Sequence, residues 1–71
     1  MSEIILDVIP VYKNEMYPTK EDIYHFKNFS KEPREMALKY MITEISYKFF
    51  DCECVIILEQ GKVIEILKRN N

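Results

Sequence analysis

The chain has 71 residues, 48% of them apolar and 31% charged, and its 10 Lys and Arg against 12 Asp and Glu give a net charge of -2 and a pI near 5.3. A chain this short forms one domain, 1–71, that can remove only about 60% of its unfolded surface from water, so little spare stability is available. The composition argues against global disorder, and scattered, mildly acidic charge argues against a strong polyanion binder, which needs a concentrated basic footprint. No apolar run approaches the roughly 20 residues of a membrane span. No basic flank precedes Ile4-Ile5-Leu6 in the manner of a signal peptide, so the expected location is the cytoplasm. Heavy use of Ile, Lys, Glu and Asn with a single alanine fits an AT-rich coding genome, bacterial or viral.

The first element expected is a strand over residues 3–13. Ile4, Leu6, Val8 and Tyr12 share one parity and Ile5, Ile9 and Val11 the other, with high β-branched content. Pro10 cannot donate to a sheet ladder, which places it at an edge, a bulge or a strand end. Residues 14–18 read as a connector, with Met16 and Tyr17 laid back over the core. A short helix is expected over 20–28, capped by Thr19 with Asp22 in the manner of a capping box and with Ile23 and Phe26 turned inward.

A longer helix follows. Ser30 is its expected N-cap, Pro33 lies in the first turn, and Glu32 and Glu35 favour the positive end of the helix dipole. Leu38, Met41, Ile42, Ile45 and Phe49 keep helical spacing and form the core-facing stripe, through to about residue 50. Met36, Tyr40 and Tyr47 fall on the opposite side and give the helix a partly apolar back.

The last third reads as a β-hairpin, 52–59 and 62–69, turning at Gln60-Gly61. Gly61, the single glycine, supplies the positive φ of a tight two-residue turn. That register pairs Glu59 with Lys62 and Glu53 with Lys68. One face then holds Cys52, Cys54, Ile56, Leu58, Val63 and Leu67, and the other Val55, Ile57, Ile64 and Ile66. The first and larger set is assigned to the helix, which leaves Val55, Ile57, Ile64 and Ile66 to be covered by something else.

The residues offer little chemistry. Cys52 and Cys54 are two apart, a spacing that suits a disulfide poorly, and two thiolates are too few for a structural zinc site. They read as reduced thiols on a core strand. His25 has no spacing relation to either that would argue for a thiol hydrolase, and the carboxylates at 32 and 35 are accounted for by the helix dipole. No glycine-rich phosphate loop and no HExxH occurs. No catalytic, cofactor or metal residues are assigned.

The fold expected is α+β in the order β-α(short)-α-β-β: a three-stranded, mainly antiparallel sheet with one long helix packed on one face. The function expected is a small non-catalytic protein-interaction module. It is either a homodimer or an inhibitor or adaptor that binds a protein through an apolar sheet face, with Val55, Ile57, Ile64, Ile66, Met36, Tyr40 and Tyr47 as interface residues. The alternative is a nucleic-acid-binding accessory protein using Lys27, Lys31, Lys39 and Lys48 around Tyr40 and Tyr47.

Overall fold

The computed structural model describes residues 2–12 and 23–68. Its elements are β1 (Ser2–Val11), β2 (Tyr24–Ser30), α1 (Arg34–Lys48), β3 (Cys54–Glu59) and β4 (Lys62–Lys68). The four strands make one sheet in the order β2-β1-β3-β4, with every neighbouring pair antiparallel. The class is α+β, with four strands rather than three. The additional strand, β2, occupies residues where the short helix over 20–28 was expected. Tyr24, Phe26 and Asn28 alternate with His25, Lys27 and Phe29, a period of two, and so short a helix would have been marginal by itself. Pairing from Ser2↔Ser30 to Val8↔Tyr24 satisfies the backbone instead. The expected cap at Thr19, Asp22, and the placement of Met16 and Tyr17 lie outside the described residues.

The core is one layer between the sheet and α1. Ile4, Leu6, Val8 and Pro10 of β1 and Val55 and Ile57 of β3 are fully buried against Ala37, Met41 and Ile45 of α1, with Phe49 and Cys52 closing the end. Leu38 and Ile42 are half-buried at its margin. Ala37 was not among the expected core residues; its small side chain occupies a fully buried position on the sheet-facing side of the helix. Pro10 sits inside β1, beyond the last β1–β2 pair and opposite Val55 of β3. There β1 has a sheet neighbour on one side among the described residues, and a missing N–H is tolerated.

The helix begins later than its expected cap at Ser30. Pro33 is the N-cap, and its carbonyl accepts the first helical bonds from the Met36 and Ala37 amides at 3.1 and 3.0 Å. Proline disfavours the helical conformation of the residue before it, so Glu32 cannot continue a helix entered at Ser30. Glu35 in the first turn and Lys48 in the last complement the helix dipole.

The β3–β4 hairpin turns at Gln60 (φ 52°) and Gly61 (φ 80°), both left-handed, the backbone of a type I′ turn. Glu59 faces Lys62 as expected. Beyond that the register slips, because a bulge sets Leu58 opposite Val63 and Ile57 opposite Glu65, which leaves Ile64 as the extra residue. Lys68 therefore faces Cys54, not Glu53. Glu53 lies before the strand, where its amide donates to the Val11 carbonyl at 2.9 Å.

The helix also takes the opposite face of β3 from the one assigned to it. Val55 and Ile57 form the core with β1, while Cys54, Ile56 and Leu58 turn to the other side of the sheet. Counting apolar residues in the hairpin alone misassigned the faces, because the decision belongs to β1: its fully buried Ile4, Leu6 and Val8 fix which side of the sheet carries the helix, and Val8 lies directly opposite Ile57. Ile57→Glu should accordingly abolish cooperative thermal unfolding followed by circular dichroism, because a carboxylate without a partner in this core costs about 3 kcal/mol or more, comparable to the stability of so small a domain. Ile66→Lys, on the exposed side, should shift the midpoint by only a few degrees.

Candidate protein-interaction surface

The alternation of each strand places the side chains of the uncovered sheet face. β1 presents Glu3, Ile5, Asp7, Ile9 and Val11; β3 presents Cys54, Ile56 and Leu58; on β4 the bulge puts Val63 opposite Leu58 and Ile66 opposite Ile56. β2 adds His25, Lys27 and Phe29, which lie opposite Asp7, Ile5 and Glu3. Phe29 is 62% exposed and Val63 54%, and Ile5, Ile64 and Ile66 are also exposed. Ile9, Val11, Ile56 and Leu58 are half-buried by one another at the centre. The result is a contiguous apolar band across three strands.

Paired charges lie along the β2 border of that band, and Lys68, opposite Cys54, lies at its β4 border. His25 Nδ1 lies 2.6 Å from Asp7 Oδ1, and Lys27 Nζ lies 3.6 Å from Glu3 Oε2 and 5.4 Å from the centre of the Phe29 ring. The His25–Asp7 contact is a cross-strand hydrogen bond, and the Lys27–Glu3 pair brings opposite charges together on exposed sheet, where it contributes modestly to stability and more to the charge pattern a partner meets. The hairpin that carries β4 is tied to the helix by Arg34. Its guanidinium donates to both carboxylate oxygens of Glu59, with Nη1–Oε2 at 2.9 Å. This bidentate bond holds the Glu59 carboxyl below the usual glutamate range, against the opposing effect of burial.

The residues expected at an interface are divided by the fold. Val55 and Ile57 belong to the monomer core, as described above. Ile64 and Ile66 are exposed on β4, and Met36, Tyr40 and Tyr47 are exposed on α1, with Tyr47 at 77%. Sequence reasoning did not single out Ile5, Ile9, Val11, Phe29 or Val63 for this face. The available signal was the second parity of β1, in which Ile5, Ile9 and Val11 have no place in a core already filled by the first.

The lysines of the nucleic-acid reading do not converge with Tyr40 and Tyr47. Lys27 is engaged on the open sheet face, Lys48 sits over the Phe26 ring at 5.3 Å on the helix side, Lys31 lies in the turn before α1, and Lys39 faces away from β2 beside a groove against β4. Tyr40 lines a different, smaller cleft against β2, with Phe26, Met41 and Glu44.

Neither Cys52 nor Cys54 is in a disulfide, and they do not share a strand face. Cys52 is buried in the bend before β3, and Cys54 is half-buried at the strand's first position. The Tyr12 hydroxyl is pushed up to about 12, first by its hydrogen bond with Cys52 and then by burial. Among the described residues, no group of three or more His, Cys, Asp or Glu is arranged to hold a metal ion, and no helix is long and apolar enough to cross a membrane. His25 is exposed on β2 rather than on a helix. The chain matches no protein-family model, no curated protein and no solved structure.

The Arg34–Glu59 pair has a definite pH signature. Because the folded carboxyl ionises below its unfolded value, its contribution is complete above about pH 4.3 and is lost as pH falls through the lower folded value. Chemical denaturation of the wild type and Arg34→Met at pH 7 and pH 3 should show a stability difference at neutral pH that narrows in acid. An unchanged difference would remove the ion pair as its origin.

Proposed function

We propose that this chain is a small non-catalytic interaction module that binds a protein partner through the open face of its sheet. The observation that supports this is the band Ile5, Ile9, Val11, Ile56, Leu58, Val63 and Ile66, continuous over three strands and bordered on β2 by charge. A contiguous apolar patch of several hundred Å² usually serves recognition in a folded protein. In this reading the half-buried centre supplies the desolvated contact, while the Asp7–His25 and Glu3–Lys27 border sets orientation and disfavours wrong partners. An inhibitor or adaptor role, in which the sheet lies over a partner's working surface, needs no catalytic group. A nucleic-acid-binding role is less well supported, because Lys27, Lys31, Lys39 and Lys48 are spread over different parts of the molecule and Lys27 is matched by an acid.

Affinity capture from the native host with wild type, Val63→Lys and Ile66→Lys as baits tests the reading. Both variants should retain the fold and lose the protein retained by the wild type, and wild-type capture should persist at high salt, since apolar contacts lack the steep salt dependence of phosphate contacts. Equal capture by all three baits, or release of the retained material by moderate salt, would contradict it.

A further inference from the structure

The two edges of the sheet are guarded to different degrees. β4 carries Lys62 and Lys68 at its ends and a bulge at Ile64, which discourage a further strand. β2 contains no proline, its register with β1 runs without a shift from Tyr24 to Ser30, and its one lysine, Lys27, is drawn back toward Glu3 on β1. The direction of its backbone groups follows from β1. Val11 turns its carbonyl toward β3, where it accepts the Glu53 amide at 2.9 Å. Backbone groups alternate along an extended strand, so Ile4, Leu6 and Val8 turn theirs toward β2 and bond with Asn28, Phe26 and Tyr24 opposite them. The 2.6 Å contact of Asp7 with His25 agrees, since facing side chains come closest where the backbones do not bond. His25, Lys27 and Phe29 therefore direct their N–H and C=O groups outward from the sheet, where no described strand meets them. An extended backbone is the partner that matches such a row.

A second feature lies beside this edge. On the helix side, a cleft of about 140 Å³ is lined by Phe26, Lys27, Asn28, Tyr40, Met41 and Glu44. Among the described residues no β1 side chain lines it, so it opens on the outer flank of β2 and not over the core. The Lys27 side chain points to the opposite face of the sheet, which leaves Phe26, Tyr40 and Met41 as the apolar walls. Cavities of about 150 Å³ admit a benzene-sized group, so a branched aliphatic side chain fits. We propose that an extended segment of a protein partner adds to the free edge of β2 as a further strand, placing an aliphatic side chain in this cleft and an acidic one opposite Lys27.

The charges select a partner's segment over a second copy. β2 has no acidic residue, and its side chains on the open face are His25, Lys27 and Phe29. Antiparallel pairing of two β2 strands sets Lys27 against Lys27, His25 or Phe29 of the other copy, and none of these supplies a carboxylate. An acidic residue on the added strand completes the cross-strand charge pair that self-pairing lacks. Its two neighbours then fall on the helix face, opposite Phe26 and Asn28, where the cleft lies. The sequence read is thus aliphatic, acidic, aliphatic, with backbone bonds supplying affinity and the cleft and Lys27 supplying specificity. The site runs along the edge of β2 and is separate from the open sheet face, so this inference does not rest on the function proposed above.

The probe is an end-capped pentapeptide, threonine-leucine-glutamate-leucine-threonine, whose symmetric order suits either strand direction. Titrating the full chain with it to about 5 mM, a range that reaches weak binding, should shift the amide NMR signals of His25, Lys27, Phe29 and Tyr40. Hydrogen exchange at the first three amides, fast in the free protein, should slow. The same peptide with lysine in place of glutamate should bind about fivefold more weakly, because it sets like charges opposite each other. Methylating the glutamate amide should weaken binding by about tenfold, because the bond to the Lys27 carbonyl is lost. Lys27→Glu should reverse the preference between the glutamate and lysine peptides, whereas Val63→Lys, on the open sheet face, should leave every affinity unchanged. The wild-type comparison of the three peptides stands whether or not Lys27→Glu folds. Absence of binding at the top of the titration, equal affinity for the methylated peptide, or slow exchange of the His25, Lys27 and Phe29 amides in the free protein would overturn the proposal, the last by showing that the edge is already paired.

Discussion

One helix about 10 Å wide set against a sheet about 19 Å wide is the constraint from which the rest of this structure follows. With a single long helix the protein can build only one core layer, and it builds it where β1, the strand with the longest apolar alternation, meets α1 through Ile4, Leu6 and Val8. Everything away from that contact is partly or wholly uncovered: the second face of the sheet, the β4 side of the first face, and the back of the helix. Apolar side chains occur in all three places. The monomer's own packing leaves them exposed or half-covered, and the association proposed above would cover those on the open sheet face.

The sheet handles its outer strands unequally. β4 carries Lys at both ends and a bulge at Ile64, features that discourage another strand from pairing along its edge. The same bulge changes the side on which Ile66 and Leu67 emerge, sending Leu67 to the core and Ile66 to the open face. A local slip of one residue thus determines which half of β4 is available to a partner. The bidentate Arg34–Glu59 bond fixes the hairpin against the start of the helix, so that α1, the groove and β4 keep a constant relation to one another.

Much of this was legible in the chain and some was not. The long helix with Met41, Ile45 and Phe49 inward, the hairpin turning at Gly61, the Glu59–Lys62 pair and the mixed α+β class could all be read from spacing and turn chemistry. β2 was misread because Ile23 and Phe26 fit a helical spacing of three while Tyr24, Phe26 and Asn28 fit the period of a strand, and only its partner β1, distant in sequence, decides between them. The face of β3 was misassigned for a related reason. Cys54, Ile56 and Leu58 outnumber Val55 and Ile57, but the number of apolar residues does not say which side the helix occupies. The bulge at Ile64 left no sequence signal that would have corrected the register. Of the candidate interface residues, those on β4 and on the helix back lie on the surface, and the two on β3 do not.

The central claim is therefore one of parity: the side of the sheet bearing Ile4, Val55 and Ile57 is the core, and the side bearing Ile5, Ile56 and Ile66 is the surface available for recognition. Paramagnetic relaxation of the Ile, Leu and Val methyl groups by a soluble gadolinium chelate measures this directly. The account predicts strong relaxation at Ile5, Val63 and Ile66 and protection at Ile4, Leu6, Val55 and Ile57. Protection of Ile56 and Leu58 together with strong relaxation of Val55 and Ile57 would contradict it.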